Sequence, residues 1–184
     1  MPRVLIPLAE GFEELEAVTI IDLLRRAEIE VVTAGLSAGP VTGSRRTVIL
    51  PDTTLDAELD GDFDLVVLPG GLPGADHLNA DPRVHRILQR HHAEGRLTAA
   101  ICAAPKVLAS AGLLDGRSAT SYPGALDISA FPKIDVIETP VVVDGQVVTS
   151  MGPGTAMDFA LKLIELLAGP ERRESVESKL LRPS

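Results

Sequence analysis

The stretch AAICAAPKVLAS, residues 99–110, joins an apolar run to a helical pattern and contains the only cysteine of the chain. The residues before Cys102 are small and apolar, as in a strand that is buried on both faces. Pro105 is typical of the first turn of a helix, where its missing N–H would have no partner anyway. The stretch therefore predicts a strand, a sharp connection at Cys102 and a helix, which is the repeating unit of a parallel α/β sheet.

The same alternation extends toward the N-terminus. Residues 3–9 are a continuous apolar run, and residues 13–27 place apolar side chains on one stripe of a helix. That helix begins with acids and ends with two arginines, which matches its dipole. Residues 29–36 predict a second strand, so the crossover is right-handed and the two strands are parallel.

The remaining elements complete the fold prediction. Further strands are predicted at 64–71 and 97–102, further helices at 81–95, 105–114 and 152–169, and a hairpin with Asp-Gly as its turn at 141–150. We expect one domain over residues 1–184. Its fold class is α/β: a doubly wound, mainly parallel sheet with helices on both faces and a small antiparallel hairpin.

Composition excludes several classes of partner. The net charge is −9 and no basic cluster exceeds two adjacent arginines, so nucleic acid is not an expected partner. No segment has the roughly 18 uninterrupted apolar residues of a membrane span, and acids that begin at Glu10 argue against a signal peptide. One cysteine excludes an internal disulfide. We expect a cytoplasmic protein that binds neither membrane nor nucleic acid.

Cys102 is the first candidate for chemistry, because ligands of open α/β sheets bind beyond the carboxyl ends of the strands. A thiol between a strand and a helix lies near free N–H groups and the positive end of the helix dipole. This position predicts a thiolate with a pKa below the usual value of about 8.5. The N–H of Ala103 is then a candidate oxyanion donor. The alternative is a small cysteine buried in the core, and position alone does not decide between the two.

Two other features are predicted at the same edge. The N–H of Gly71, in the Pro69-Gly70-Gly71 turn, is a second candidate donor, although the turn fits a simple loop equally well. Glu16 lies at the border of the apolar stripe, where partial burial would raise its pKa and keep it protonated. A protonated carboxyl can donate a hydrogen bond to a thiolate. The alternative is a surface acid that matches the helix dipole, like Glu13 and Glu14.

Two further kinds of site are not predicted. The glycines at 70, 71 and 74 lack the G-x-G-x-x-G spacing of a dinucleotide site and do not follow the first strand. His77, His85, His91 and His92 are expected to be solvated, and adjacent His91 and His92 point to different sides of a helix. We therefore expect neither a metal nor a cofactor.

Four motifs together resemble the DJ-1/ThiJ/PfpI superfamily, and specifically its DJ-1/YajL-like branch. They are AEGFEELEAV with DLLRRA (9–27), VVLPGG (66–71), AAICAAP (99–105) and TSMGPGTAMDFAL (149–161). The resemblance implies a flavodoxin-like fold, a homodimer and a cysteine at a strained strand–helix elbow.

The resemblance also implies roles for single residues. Cys102 becomes the nucleophile, Glu16 the protonated acid that contacts its thiolate, and Gly71 and Ala103 the N–H donors. Supporting or dimer-interface positions are Gly70, Asp22, Arg26 and Arg45; among them Asp22 matches an acid that approaches the neighbouring site.

One position departs from the family pattern. In one member of this branch a histidine precedes a proline in the loop after the cysteine helix, whereas here Tyr122 precedes Pro123. Tyrosine titrates near pH 10, so it is a poor general base at neutral pH, but its hydroxyl can orient a substrate. Peptidase-like relatives have histidine directly after the cysteine. Ala103 occupies that position here, and peptidase activity is not expected.

The function that the resemblance implies is a cofactor-independent glyoxalase or deglycase that acts on small 2-oxoaldehydes such as methylglyoxal, or on their adducts. The alternative is a redox-responsive protective protein with little turnover, in which Cys102 oxidises to the sulfinate. A third and weaker hypothesis is a phosphate or nucleotide binder that uses the turn at 69–71, but it leaves the placement of Cys102 unexplained.

Overall fold

The computed structural model describes residues 1–182, and within them it contains eleven strands and six α-helices. The strands are β1 (Arg3–Leu8), β2 (Glu30–Gly35), β3 (Val41–Thr42), β4 (Val48–Ile49), β5 (Thr53–Thr54), β6 (Leu65–Leu68), β7 (Leu97–Ile101), β8 (Ser118–Ala119), β9 (Asp135–Val136), β10 (Val141–Asp144) and β11 (Val147–Ser150). The helices are α1 (Glu14–Arg26), α2 (Gly74–Ala80), α3 (Pro82–Ala93), α4 (Pro105–Ser110), α5 (Ala156–Ala168) and α6 (Pro170–Glu177). No helix in this range combines the length and apolar character needed to cross a membrane.

Seven strands form the central sheet in the order β10-β11-β7-β6-β1-β2-β5. All neighbours are parallel except β10, which pairs antiparallel with β11. The chain moves from β1 to one edge and then crosses back past β1 to build the other half, so the sheet is doubly wound. The predicted fold class, a flavodoxin-like α/β sheet with a small antiparallel hairpin, is confirmed.

The two faces of the sheet bury different sets of helices. Side chains of β1 alternate, so that Val4, Ile6 and Leu8 face one way and Leu5 faces the other. The first face packs against α1 and α5, through residues such as Ile20, Leu24, Phe159 and Leu163. The second face packs against α3 and α4, through residues such as Val84, Leu88, Val107 and Leu108. Both layers are built almost wholly from aliphatic side chains, as the low aromatic content requires.

Two helices differ from the sequence prediction. Helix α2 was not predicted, because it begins with a glycine and carries a single large apolar residue, Leu78, which leaves no periodic pattern to detect. Helix α4 ends at Ser110 rather than at 114, because Gly112 turns the chain with a φ of +81°.

The hairpin turn is shifted by one residue from the prediction. Asp144 pairs with Val147, so Gly145 and Gln146 form the turn instead of Asp-Gly. The carboxylate of Asp144 accepts hydrogen bonds from the N–H of Ser118 at 2.9 Å and from Arg117 at 3.1 Å. These bonds keep Asp144 in the strand.

His91 contradicts the expectation that the histidines are solvated. It lies on the inner face of α3 and is fully buried. Neither ring nitrogen makes a hydrogen bond of good geometry to the described residues, although the backbone of Leu97 lies near. Burial, reinforced by the positive charges of Arg90 and Arg96, lowers the pKa of His91. The folded protein therefore holds this histidine neutral.

This burial predicts that His91 lowers the stability of the fold in mild acid. Because the folded pKa of His91 lies below the unfolded value of about 6.5, the unfolded chain takes up the proton first as the pH falls. The contribution of His91 to the free energy of unfolding should therefore fall between pH 7 and pH 5, whereas the raised pKa of buried Glu16 acts in the opposite direction and is common to every protein compared. The variant His91→Leu should lose about 1 kcal/mol less than the wild type over this range. Urea unfolding at the two pH values measures the difference, with exposed His77→Gln as the control. Equal losses in all three proteins would contradict the assignment.

Candidate active site

The candidate site lies at the carboxyl end of β7, where Cys102 turns the chain toward α4. The φ of Cys102 is +64°, in the left-handed region that residues with a side chain seldom occupy. Its N–H donates to the carbonyl of Ser150 at 3.0 Å, and its carbonyl accepts from the N–H of Tyr122 at 2.9 Å. Two other segments therefore hold the strained residue in place.

Glu16 approaches Cys102 from the first turns of α1. Its side chain is fully buried, and Oε2 accepts a hydrogen bond from the N–H of Gly70 at 2.8 Å. Burial, with a smaller contribution from the charge of Glu13, raises the pKa of Glu16 to about 7, against the opposing effect of hydrogen bonds to Cys102 and Gly70. The predicted direction of this pKa shift is confirmed.

Gly70 is required by close packing between these two side chains. A Cβ at this position would lie 2.7 Å from Cβ of Cys102, 2.7 Å from Oε2 of Glu16 and 2.8 Å from the carbonyl oxygen of Ile101. Any larger residue would push the thiol and the carboxyl apart. Gly71 is required for a different reason, because its φ is +90° and an added Cβ would lie 2.4 Å from the N–H nitrogen of Glu13.

The sulfur of Cys102 lies close to three polar groups. The backbone N–H groups of Gly71 and Ala103 approach it and favour the thiolate, while the Glu16 carboxyl contacts it from the buried side. The contact with Glu16 shifts the pKa of both groups, although Oε1 lacks the geometry of a regular hydrogen bond to any described residue. The two N–H donors named from the sequence are thus brought to the sulfur.

The predicted lowering of the Cys102 pKa is wrong in direction. Burial, followed by the charge of an ionised Glu16, raises the pKa of Cys102 to about 12, and the two backbone N–H groups offset only part of this increase. The dipole argument overlooked how deeply the elbow is buried. Helix α4 is also only six residues long.

Glu16 and Cys102 therefore titrate as a pair. The pair loses one proton near pH 7 and holds the second until about pH 12. Between these pH values the pair carries one negative charge. On the Glu16 oxygen this charge is stabilised by the N–H of Gly70, and on the Cys102 sulfur it is stabilised by the N–H groups of Gly71 and Ala103. The thiolate with a protonated Glu16 is one of these two arrangements. In that arrangement the charge of Glu16, which raises the thiol pKa, is absent.

A cavity of about 570 Å³ opens above the thiol. Cys102, Gly71, Ala103, Tyr122 and Arg45 all line it. Tyr122 is 53% exposed, so its ring borders the cavity rather than filling it. A volume of this size admits a small molecule to the sulfur and also leaves room for a larger adduct.

The other sequence candidates lie elsewhere. Asp22 and Arg26 form an ion pair of 2.6 Å, one helical turn apart on the exposed side of α1, and neither lines the cavity. The wall also includes residues that the sequence reasoning missed, notably Glu13, Ser44 and Pro153. Glu13 was interpreted as a surface acid, because no local pattern connects it with a turn about thirty residues later along the chain.

The shared protons predict the pH dependence of thiol alkylation. The rate at which iodoacetamide modifies Cys102 should rise as the pair loses its first proton near pH 7 and then stay level. In Glu16→Gln the step near pH 7 should disappear. A single step should replace it at a pH above the usual cysteine value of about 8.5, because burial still opposes the thiolate. Mass spectrometry follows the reaction without ambiguity, since the chain has one cysteine.

Two results would contradict this prediction. If the wild-type rate stays flat until well above pH 9, the single charge resides on Glu16 and the thiolate assignment is wrong. If the wild type and Glu16→Gln give the same profile, the two groups do not share protons.

Comparison with known proteins identifies the family. The DJ-1/PfpI family model matches residues 2–166. Protein dj-1beta of Drosophila melanogaster is 46% identical over 180 residues, which cover 96% of this chain and 95% of that protein. A crystal structure of Drosophila melanogaster DJ-1beta superposes with a TM-score of 0.93 at 43% identity, covering 100% of this chain and 99% of that one.

Two further relatives bear on chemistry. The glutathione-independent glyoxalase DJR-1.2 of Caenorhabditis elegans is 36% identical over 167 residues, which cover 91% of this chain and 89% of that protein. The structure of oxidised Toxoplasma gondii DJ-1 superposes with a TM-score of 0.92 at 38% identity and full coverage of both chains (100% each). Sequence and structure agree along nearly the whole chain, and the protein belongs to the DJ-1/PfpI family.

Proposed function

We propose that this protein is a cofactor-independent, cysteine-dependent enzyme of the glyoxalase or deglycase type, acting on methylglyoxal-like 2-oxoaldehydes or their adducts in protection against carbonyl and oxidative stress. The observation that carries the proposal is the contact between Cys102 and the protonatable Glu16 at the base of an open cavity. The glyoxalase activity named for the Caenorhabditis elegans relative supports it.

In the first step the thiolate of Cys102 adds to the aldehyde carbon of methylglyoxal. A C–S bond forms, and the electron pair of the C=O bond moves to oxygen. The N–H groups of Gly71 and Ala103 stabilise the developing oxyanion. Glu16, protonated at this stage, delivers the proton that completes the hemithioacetal.

Glu16 then acts as the base. Its carboxylate removes the proton from the former aldehyde carbon to give an enediolate and returns that proton to the neighbouring carbon. The hydroxyl proton on the former aldehyde carbon passes to the oxygen of the neighbouring carbon, so that the carbonyl group changes place. The product is a lactoyl thioester on Cys102. Water cleaves this thioester, so that methylglyoxal and water give lactate and the free thiol without net oxidation or reduction. A pKa near 7 suits Glu16 to both roles at neutral pH.

Tyr122 fits a role in orienting the substrate. Its ring lines the cavity and is half exposed. The hydroxyl group can donate and accept hydrogen bonds. We therefore assign proton transfer to Glu16 and not to Tyr122.

A second candidate function is redox sensing. The thiol is partly exposed, and no second cysteine exists to form a disulfide with it. One peroxide would convert the thiolate to a sulfenate and water, and a second would give the sulfinate. The Glu16 carboxyl would donate a hydrogen bond to that sulfinate. The oxidised Toxoplasma gondii relative motivates this alternative.

Methylglyoxal consumption and lactate formation distinguish the two functions. We expect turnover by the wild type, and a loss of at least about 100-fold in Cys102→Ser and in Glu16→Gln, since each variant removes a group that acts in the chemical step. Circular dichroism checks that both variants fold. If wild-type turnover equals the buffer background while peroxide still adds two oxygens to Cys102, the sensor function is correct and the enzyme proposal fails.

We further propose that the protein is a homodimer. The outer face of α1 and the hairpin of β3 and β4 expose Leu15, Val18, Val48 and Leu50, of which Leu50 is 74% exposed. The neighbouring Asp22, Arg26 and Arg45 supply a charged rim. An apolar patch with a polar border is the usual pattern of a protein interface.

Sedimentation equilibrium tests the dimer. At micromolar concentration we expect twice the 19.4 kDa mass of one chain. Leu50→Asp should shift the mass toward one chain, because a charge would be buried in the interface. Ile128→Asp alters an apolar residue that is 62% exposed on a different segment and should leave the dimer intact. A wild-type mass of 19.4 kDa would reject the proposal.

A further inference from the structure

The turn of residues 43–47 connects β3 and β4 and lies outside the central sheet. Its backbone contacts the segment that leads into α1: the N–H of Ser44 donates to the carbonyl of Phe12 at 2.8 Å, and the N–H of Gly11 donates to the carbonyl of Thr42 at 2.8 Å. The turn therefore packs beside the start of the helix that carries Glu16.

Glu14 makes the largest number of hydrogen bonds to this turn. Its Oε1 accepts from the N–H of Arg45 at 2.6 Å and from the N–H of Thr47 at 3.1 Å. Its Oε2 lies 3.1 Å from the hydroxyl of Ser44, whose one proton it shares with Glu13 at the same distance. Burial opposes the charge of Glu14, but the hydrogen bonds outweigh it and lower its pKa. The carboxylate is thus ionised at neutral pH and binds the turn at three points.

Gly43 shows how closely the turn approaches Glu14. A Cβ at Gly43 would lie 2.5 Å from Cδ and Oε1 of Glu14. No other residue fits at this position without displacing the carboxylate. Glu14 was expected to serve only the helix dipole, and the structure gives it a specific partner instead.

The turn carries the positive charge of the cavity. Arg45 is the single arginine or lysine among the residues that line the cavity above Cys102. Within residues 1–182 its guanidinium forms no ion pair, and its one hydrogen bond is a long contact of 3.4 Å to the carbonyl of Ser44. It is exposed, and so its charge is available to a ligand.

We propose that Glu14 is a positioning residue that anchors the turn of residues 43–47 and thereby holds Arg45 at the Cys102 cavity. With Arg45 in place, the cavity favours carbonyl substrates that carry a negatively charged group beside the reacting carbon. The inference rests on the proposed function for its interpretation of the cavity as a substrate site. It defines that function further by naming the charge of the preferred substrate.

Two alkylating probes of similar size and different charge test the inference. Iodoacetate is an anion and iodoacetamide is neutral, and both modify only Cys102. The ratio of their rate constants reports the electrostatic environment of the cavity independently of turnover. Loss of one unit charge several ångströms from the sulfur should lower this ratio about three- to fivefold. We expect that decrease in Arg45→Gln and, because the turn is released, also in Glu14→Ala.

The direction in which the rate ratio changes in Glu14→Ala distinguishes a positioning role of Glu14 from a direct effect of its own charge. Removal of a negative side chain near the site would by itself raise the rate with iodoacetate, whereas release of Arg45 lowers it. Glu14→Gln keeps an oxygen that accepts the two backbone N–H bonds, so it should restore the ratio to at least the wild-type value. In the double variant, Arg45→Gln should cause no further decrease beyond Glu14→Ala, because Glu14 acts through Arg45.

Three results would overturn the inference: a ratio in Glu14→Ala equal to or above that of the wild type, a further decrease in the double variant, or equal slowing of both probes. Exposed Glu171→Ala on α6 is the control for loss of an acid without loss of the turn. The outcome is separate from the proposed function, because a protein without methylglyoxal turnover would still show the change in ratio.

Discussion

A fully buried carboxyl against a partly buried thiol is the constraint on which this edge of the sheet depends. Neither group can keep an unshared charge in such a place at low cost, so the surrounding backbone supplies N–H groups to both. This need explains three local features together. Gly70 has no side chain, Gly71 adopts a positive φ, and Cys102 holds a strained conformation secured by hydrogen bonds from two other segments. Any one of them alone would be unremarkable.

The strand order brings these pieces to one point. β1 lies between β2 and β6, and β7 follows β6 in the sheet. The connections after β1, β6 and β7 therefore leave the same edge side by side, and the switch in winding direction opens a gap between them. Glu16, Gly70 and Cys102 come one from each connection. The two apolar layers that fix this arrangement are continuous beneath the site, so the site sits on a rigid base.

Periodicity was sufficient to predict the main strands and the amphipathic helices, and the rule for strand ends placed residues 9–16, residues 69–71 and Cys102 at one edge. The contact of Glu16 with the thiol was implied only by the family resemblance. What escaped prediction depends on long-range packing. The pKa of Cys102 is set by how deeply the elbow is buried, and the role of Glu14 depends on a partner about thirty residues away along the chain. His91 is polar and was therefore expected at the surface, but it lies on the inner face of α3. Helix α2 was too short and too poor in apolar residues to detect.

The turn of residues 43–47 has an evolutionary consequence. It contributes no hydrogen bond to the central sheet, so mutations at its exposed positions, such as Arg45, are weakly coupled to folding, unlike changes at buried Gly43 and Gly70 or at Cys102. Selection can therefore alter the charge at the mouth of the cavity while the reacting pair stays constant. Divergence of substrate preference between descendants of one ancestral scaffold should accordingly accumulate in this turn and its anchoring acid, before it reaches the residues that perform the chemistry.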